Sequence, residues 1–304
     1  MTPEKAAEEI RRPEGAPADD SRARRPAAKA KRPRGRLVFN TVGVLTALVM
    51  AFPTYWMVQT AFRPLSDNYA ATPRFWPSEL TLYGMRKALE DNTFWINARN
   101  SIIVALGAVL LASVLGLLAA YAIGRFRFYG RKPMLVILLG IQMLPQGALL
   151  IAIYLQLNEI GATNQLWSVI LVYMTFNLPF AVWMLRGFVI NIPAELEEAA
   201  LVDGCGRLGA FWRVTMPLLA PGLVATATYT FIQAWNEYQM AYILLDDSSK
   251  RTLTVWMVSF TTSRGTDYAA MMAGATLTAI PVVVLFLIVQ HRMAAGLTAG
   301  AVKG

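Results

Sequence analysis

Charged residues are scarce in this chain of 304 residues: Asp, Glu, Lys and Arg make up 15%, whereas soluble globular domains contain about 25%. This deficit argues against a water-soluble fold. The chain also has only one cysteine, Cys205, and one histidine, His291. A single cysteine excludes an internal disulfide bond and a cysteine-based metal cluster. No G-x-x-x-x-G-K-[ST] pattern occurs, which excludes ATP binding in the P-loop manner.

Six stretches of 23 to 26 residues carry no charge at all. A helix needs about 20 residues to cross the hydrocarbon core. Every backbone polar group must be satisfied inside lipid, so helices are expected for runs of this length. We predict an all-α, polytopic membrane protein with six transmembrane helices, at about 37–62, 100–124, 133–157, 166–185, 218–245 and 268–290.

A polar segment precedes the first predicted span. Residues 1–36 contain 11 Lys or Arg and six Asp or Glu, and they contribute +5 to the net charge of +9. This segment has too few apolar residues to offset the entropy of ordering, so we predict a disordered basic tail. A basic segment beside a membrane helix is typical of a topology signal, and we favour this interpretation over nucleic-acid binding.

The distribution of Lys and Arg predicts the orientation, because these residues accumulate on the cytoplasmic side. With the N-terminus inside, the cytoplasmic segments hold 20 of the 28 Lys and Arg residues, and the outer segments hold eight. Both termini are therefore predicted to be cytoplasmic. Of the two long outer loops, residues 63–99 contain a short helix with Leu82, Met85 and Leu89 on one face. Residues 252–260 are too short to span and are predicted to lie along the outer surface.

The inner loop 186–217 combines good helix boundaries with many charges. Pro193 suits the first turn of a helix, the glutamates after it suit the positive end of the helix dipole, and Gly204 can form a left-handed turn that ends the helix. A second short helix is predicted from about Arg207 to Pro217. Connectors between bundle helices usually have about two to eight residues, so this helix-turn-helix is predicted to be a docking surface.

The inner loop resembles the EAA motif of permease subunits of bacterial ABC importers. That pattern is Glu-Ala-Ala, three residues, Gly, nine residues and Ile-x-Leu-Pro. The residues at the corresponding positions are Glu198, Ala199, Ala200, Gly204, Val214, Met216 and Pro217. Val and Met replace Ile and Leu but preserve the apolar character.

Further residues resemble the carbohydrate-uptake group, and above all its maltose-type subunit with six spans. These are Asn100-Ser101, Ala120-Tyr121-Ala122, Arg125-Phe126-Arg127-Phe128, Gly130-Arg131, Trp235-Asn236-Glu237 and the C-terminal GLTAGAVKG. The resemblance covers about residues 37–304, the predicted permease domain.

The resemblance implies a bacterial inner-membrane permease without catalytic residues of its own. A dimer of cytoplasmic ATPase subunits would bind ATP and Mg²⁺ and would receive the EAA helix in a groove. Glu198 and Asp203 would contact the ATPase, Gly204 would form the turn, and Lys303 and Gly304 would add a second contact. The family also implies a heterodimer with a second permease and an extracellular solute-binding lipoprotein that delivers a sugar, such as a di- or oligosaccharide.

Polar residues within the spans predict a substrate pathway, because their burial in lipid is costly. Amides both donate and accept hydrogen bonds, as sugar hydroxyls require, and the ring of Trp235 could stack on a sugar. Hydrogen bonding between helices is an equally good explanation for each residue. The candidates are Gln142, Gln146, Asn177, Gln233, Trp235, Asn236 and Glu237.

Two alternative functions fit the sequence less well. One is an ABC permease for a non-sugar solute, such as an amino acid or polyamine; the neutral amides argue against a charged substrate. An ion-coupled secondary transporter is expected to have acidic residues within the membrane, and Glu237 is the one candidate.

Overall fold

The computed structural model describes residues 34–301 except 71, 73 and 91, and this part of the chain is almost entirely α-helical. Most of the predicted tail, together with Lys303 and Gly304, lies outside the described residues. Inter-residue contacts divide the chain within helix α1 (Arg34–Ala61) into Met1–Phe52 and Pro53–Gly304. In the described part of the first unit, the side chains of residues 38–52 are exposed, as expected of a helix that lies in lipid.

The second unit packs helix against helix. After the end of α1 it contains the helices α2 (Leu65–Asn68), α3 (Tyr83–Leu89), α4 (Thr93–Arg125), α5 (Arg131–Gln142), α6 (Gln146–Glu159), α7 (Leu166–Asn191), α8 (Ala194–Val202), α9 (Arg207–Ala210), α10 (Met216–Asn236), α11 (Gln239–Leu244), α12 (Leu253–Met257) and α13 (Tyr268–Ala301). A π-helical turn, Phe211–Thr215, joins α9 to α10. A 3₁₀ turn, Val258–Phe260, and a small antiparallel hairpin of β1 (Thr261–Thr262) and β2 (Gly265–Thr266) follow α12.

Helix α4 is central and packs against α7 and α10. Its buried stripe contains Ala105, Ala108, Ala112 and Ala120, each 0% exposed. The spacing of three and four residues puts these small side chains on one helical face. Small residues let two helices approach closely, which is how membrane helices gain packing energy without a hydrophobic driving force.

Five helices in the described residues are long and apolar enough to cross a membrane, and six spans result if the bent pair α5–α6 is counted as one. The sequence predicted one continuous helix over 133–157, but α5 and α6 meet at 95°. Pro145 precedes α6 in an extended conformation, lacks an N–H and restricts the residue before it. By contrast, Pro179 and Pro281 lie within the continuous helices α7 and α13.

The fifth predicted span also differs from the structure. The helix runs without interruption from Arg207 to Asn236, so the predicted end of a short helix at Pro217 is wrong. The π-helical turn ends at Thr215, directly before α10. Pro217 therefore lies where the backbone hydrogen bonds change from the π-helical to the α-helical pattern. At the other end, α10 stops at Asn236 and does not continue to 245; after Glu237 and Tyr238 the chain resumes in α11.

The segment 252–260, predicted to lie along the outer surface, is buried in the protein over its first half, whereas Val258 and Ser259 are exposed. Leu253, Val255 and Trp256 are 2%, 3% and 5% exposed. Two side chains at one end of the membrane part of α4 hold this segment in place. Asn100 donates from Nδ2 to the carbonyl oxygens of Ser249 and Arg251 at 2.9 and 3.0 Å, and Ser101 Oγ accepts from the Leu253 N–H at 2.8 Å.

Helix α3 approaches α13 through a glycine. A Cβ atom at Gly84 would lie 2.5 Å from the carbonyl oxygen of Ala269 and 2.7 Å from that of Ala61. Gly84 and Ala88 form the buried face, whereas Leu82 and Leu89 are 57% and 36% exposed. The predicted helix is present, but of its predicted apolar face Met85 packs against the core whereas Leu82 and Leu89 do not, because close backbone packing selects small residues here.

We expect Gly84→Ala to lower the free energy of unfolding by about 1–3 kcal/mol or more, since both obstructing atoms belong to the backbone and cannot rotate away. Thermal melting of the purified protein in detergent would measure the loss. Gly140→Ala is the matched control: no atom lies within 4 Å of its Cβ position in α5, and alanine favours a helix over glycine by about 1 kcal/mol. Equal melting temperatures for the two variants would contradict the close approach.

Candidate functional site

A cavity of about 330 Å³ opens where the bend between α5 and α6 faces α7 and α10. Its size is at the lower end of the range for ligand pockets. Of the seven predicted pathway residues, five line it: Gln142, Gln146, Asn177, Gln233 and Glu237. Three helical regions that are far apart in the sequence therefore bring their amide groups to one place.

The glutamine side chains of the cavity are available to a ligand. Gln142, Gln146 and Gln233 are exposed, and none makes a side-chain hydrogen bond to another residue in the described part of the chain. Asn177 is 8% exposed and donates from Nδ2 to the carbonyl oxygen of Tyr173 at 2.8 Å. Uncommitted amides are costly in lipid, so these groups require water, a ligand or another subunit.

Glu237 has a different role because its carboxylate is already bound within the chain. It accepts hydrogen bonds from the Tyr173 hydroxyl at 2.5 Å and from the N–H groups of Met240 and Ala241 at 2.9 and 3.3 Å. These two N–H groups belong to the first turn of α11, where a helix lacks internal partners. Glu237 thus stabilises the break between α10 and α11 as well as lining the cavity.

Two predicted pathway residues do not border the cavity. Trp235 is 3% exposed, stacks on Phe231 at 5.4 Å between ring centroids, and donates from Nε1 to the carbonyl oxygen of Thr278 at 3.1 Å. The predicted stacking of Trp235 on a substrate is therefore wrong, because the ring is enclosed by protein. Asn236 is exposed at the end of α10 but does not line the cavity.

Aromatic residues complete the cavity, and the sequence analysis missed them. Phe180 and Tyr229 stack with 3.8 Å between their ring centroids, and Phe176 and Tyr173 lie alongside. The signal was present in the spacing: Phe180 is three residues after Asn177, and Tyr229 is four before Gln233. Residues three or four apart share one face of a helix.

The second candidate site is the loop that contains α8. Pro193, predicted in the first turn, is the residue directly before the helix, and Gly204 adopts the predicted left-handed conformation (φ +85°) just after it. The N–H groups of Gly204 and Cys205 donate to the carbonyl oxygens of Leu201 and Ala200 at 3.1 and 3.0 Å, which satisfies carbonyls that a helix end leaves free.

Most of the residues predicted for coupling lie on the surface of this loop. Glu198, Ala199, Asp203, Gly204 and Pro217 are exposed, whereas Ala200 is 9% exposed and faces the protein.

Large apolar side chains accompany this exposed surface. Val202, Leu208 and Trp212 are 87%, 71% and 57% exposed. An exposed apolar cluster with charged neighbours is typical of a protein–protein contact.

Beneath this surface, Glu197 is largely buried among polar partners that the sequence analysis did not identify. Its carboxylate contacts Arg125, Tyr121 and Thr215. The glutamate run was noted for its place in the helix, but nothing in the sequence indicated which glutamate turns inward.

Residues 112–298 match the family of binding-protein-dependent transport system inner membrane components. The chain belongs to this family. The matched region includes the α8 loop and the helices that line the cavity. The predicted ABC importer permease and its all-α, polytopic membrane fold are therefore confirmed.

Several relatives of the permease are similar over most of its length. The diacetylchitobiose uptake system permease protein DasC of Streptomyces coelicolor is 41% identical over 270 residues, which cover 89% of this chain and 98% of that protein. The maltodextrin transport system permease protein MdxG of Bacillus subtilis is 34% identical, with coverage of 86% and 93%. The trehalose/maltose transport system permease protein MalG of Thermococcus litoralis is 32% identical, with coverage of 88% and 97%.

A solved structure has the same fold. The permease resembles, with a TM-score of 0.70, a chain in the crystal structure of a bacterial ABC transporter involved in the import of the acidic polysaccharide alginate. The match covers 85% of this chain and 97% of that chain at 22% identity.

Proposed function

We propose that the permease translocates a neutral di- or oligosaccharide through an ATP-driven importer. The observation that carries this proposal is the cavity, in which the uncommitted amides of Gln142, Gln146 and Gln233 lie beside stacked aromatic rings. Amides pair with hydroxyl groups as donors and acceptors, and aromatic rings offer an apolar surface with a polar edge. The named cargoes of three relatives, diacetylchitobiose, maltodextrin and trehalose/maltose, support the same class.

The α8 loop is proposed to receive a cytoplasmic ATPase subunit. The exposed Glu198 and Asp203 would make polar contacts with it, Ala199 would allow close approach, and Ala200 would pack inward. Gly204 would fix the turn and Pro217 the start of α10. ATP and Mg²⁺ would bind to the ATPase dimer, and the permease itself would have no catalytic residue. A second contact with the ATPase through Lys303 and Gly304 stays a prediction.

The remaining partners follow from the family. A second permease would complete the pathway as a heterodimer, and an extracellular solute-binding lipoprotein would deliver the sugar. Exposed apolar residues of α5 and α6, such as Val136 and Ile151 (each 69% exposed), require lipid or a second subunit to cover them. We propose a bacterial inner-membrane location with both termini in the cytoplasm.

Uptake into proteoliposomes tests this function. The complete complex, with its binding protein outside and ATP inside, is expected to accumulate labelled neutral sugars, for which diacetylchitobiose, maltotriose and trehalose are the first probes. A large excess of amino acids or polyamines should leave that uptake unchanged, because the uncommitted side chains are neutral amides and the Glu237 carboxylate is already bound within the chain. Uptake of a charged solute instead would favour the non-sugar permease, and uptake driven by an ion gradient without ATP would favour a secondary transporter.

A further inference from the structure

The carboxylate of Glu197 joins α8 to the π-helical turn that follows it and to α4, which lies more than 70 residues earlier. Arg125, at the end of α4, donates from Nε to Glu197 Oε1 at 2.9 Å. Its Nη2 forms an ion pair with the same oxygen at 2.8 Å. Tyr121 donates from its hydroxyl to Oε2 at 3.0 Å, and Thr215 donates from Oγ1 to Oε1 at 2.7 Å. Arg125 also donates to the carbonyl oxygen of Ile192 at 3.0 Å, next to the start of α8.

This cluster is well shielded from water. The side chains of Glu197 and Arg125 are 14% and 13% exposed. Exposed ion pairs contribute little because water and salt screen them, whereas a shielded charge with several hydrogen bonds fixes geometry strongly. The neighbouring Glu195 and Glu198 are exposed and make no side-chain hydrogen bond or ion pair within the described residues.

Each partner of Glu197 belongs to a helical segment that continues into, or packs against, a helix lining the cavity. Thr215 is the last residue of the π-helical turn that continues into α10, and α10 carries Tyr229 and Gln233. Fourteen residues separate Thr215 from Tyr229, or about 21 Å along a helix. Arg125 and Tyr121 belong to α4, which packs along α7 and hence reaches Asn177.

We propose that Glu197 is the positioning residue that transmits movement of α8 to the helices around the cavity. The inference rests on the proposed docking of an ATPase on α8. Packed elements with fixed contacts move together, and Glu197 is the point at which α8 is fixed to both α4 and the π-helical turn. A π-helical turn is a frequent site of functional adjustment within a helix, and here it carries Thr215, one of the three hydrogen-bonding partners of Glu197.

The single cysteine allows movement at the loop to be measured separately from movement at the cavity. Cys205 lies in the turn after α8 and is partly exposed. The maleimide labelling rate of Cys205 on this subunit, with and without trapping of the ATPase dimer by ATP and vanadate, reports on the loop. For the cavity, the same measurement uses the thiol introduced by Leu144→Cys in a Cys205→Ser background, since Leu144 lines the cavity and is 50% exposed.

In the assembled complex we expect trapping to change both labelling rates by about fivefold or more, the lower end of the usual range for coupled sites. Glu197→Gln should preserve the change in the labelling rate of Cys205 on trapping. The change in the labelling rate of Leu144→Cys should fall to less than about twofold, a value close to that of uncoupled sites. Glu195→Gln, which removes the same charge from the same helix turn, should behave as the unsubstituted complex.

The outcomes separate the two proposals. A full response at both positions in Glu197→Gln would overturn the role of Glu197, with the ATPase docking intact. No response at Cys205 in the unsubstituted complex would overturn the docking itself and the inference with it. If Glu197→Gln does not assemble, Thr215→Val removes one hydrogen bond at constant size; it is expected to weaken the cavity response alone, and a full cavity response would overturn the proposal.

Discussion

Replacing Glu198 by lysine is expected to reduce ATP-driven uptake by more than about 100-fold, corresponding to a loss of about 2.7 kcal/mol. Glu198 is exposed on α8 and makes no side-chain hydrogen bond or ion pair within the described residues, so the change should alter the stability of the permease by no more than about 0.5 kcal/mol. At an interface, however, reversal of a charge places like charges together at a cost of several kcal/mol.

Uptake and ATP hydrolysis should be measured on the same proteoliposomes. We expect stimulation of hydrolysis by the sugar-loaded binding protein to be lost together with uptake, because the contact that joins the two processes is gone. Glu159→Lys is the control, since Glu159 is likewise exposed, at the end of α6, and reversal of its charge should leave uptake unchanged. Normal uptake by Glu198→Lys would show that this face of α8 does not dock an ATPase.

The second large effect is expected in the cavity. Gln233→Leu removes an exposed amide that lines the cavity and has no side-chain hydrogen bond within the described residues. The sugar hydroxyls that the amide would satisfy are then left unpaired, at about 1–3 kcal/mol. We expect uptake to fall by about 5- to 150-fold, and replacement of Gln142 and Gln146 by leucine as well should abolish it.

Gln156→Leu provides the matched comparison. Gln156 is another exposed glutamine of α6 but does not line the cavity. Its substitution should leave uptake unchanged, and hydrolysis of ATP in the absence of cargo should be unaffected in every one of these variants. Equal uptake by Gln233→Leu and Gln156→Leu would show that the amides serve another purpose, such as contact with the second permease.

Local patterns predicted those features that depend on neighbours in the chain. Runs without charge predicted the apolar helices, because backbone groups in lipid must be satisfied within the same segment. Gly204 was predicted to form a left-handed turn, because only glycine adopts that conformation without cost. The spacing from Glu198 to Pro217 indicated the family, and the polar residues within the spans, four amides and one carboxylate, indicated five of the residues that line one cavity.

Tertiary structure decided the pairings that those patterns leave open. Trp235 and Gln233 are two residues apart on α10. The ring of Trp235 is nevertheless enclosed against α13, whereas the side chain of Gln233 faces the cavity. The segment 252–260 was predicted, as too short to span, to lie along the outer surface, but Asn100 and Ser101 bind residues at and just before its start to the protein. Of three glutamates on α8, only Glu197 turns inward, toward an arginine 72 residues earlier.

The sequence by itself therefore determined that the chain spans a membrane, where its apolar helices lie and which loop projects from them, since each depends on the composition of one continuous segment. The structure decided the 95° bend, the cavity and the contacts of Glu197. These depend on which faces of distant helices meet, and a polar atom is satisfied by whichever partner that packing brings within hydrogen-bond distance.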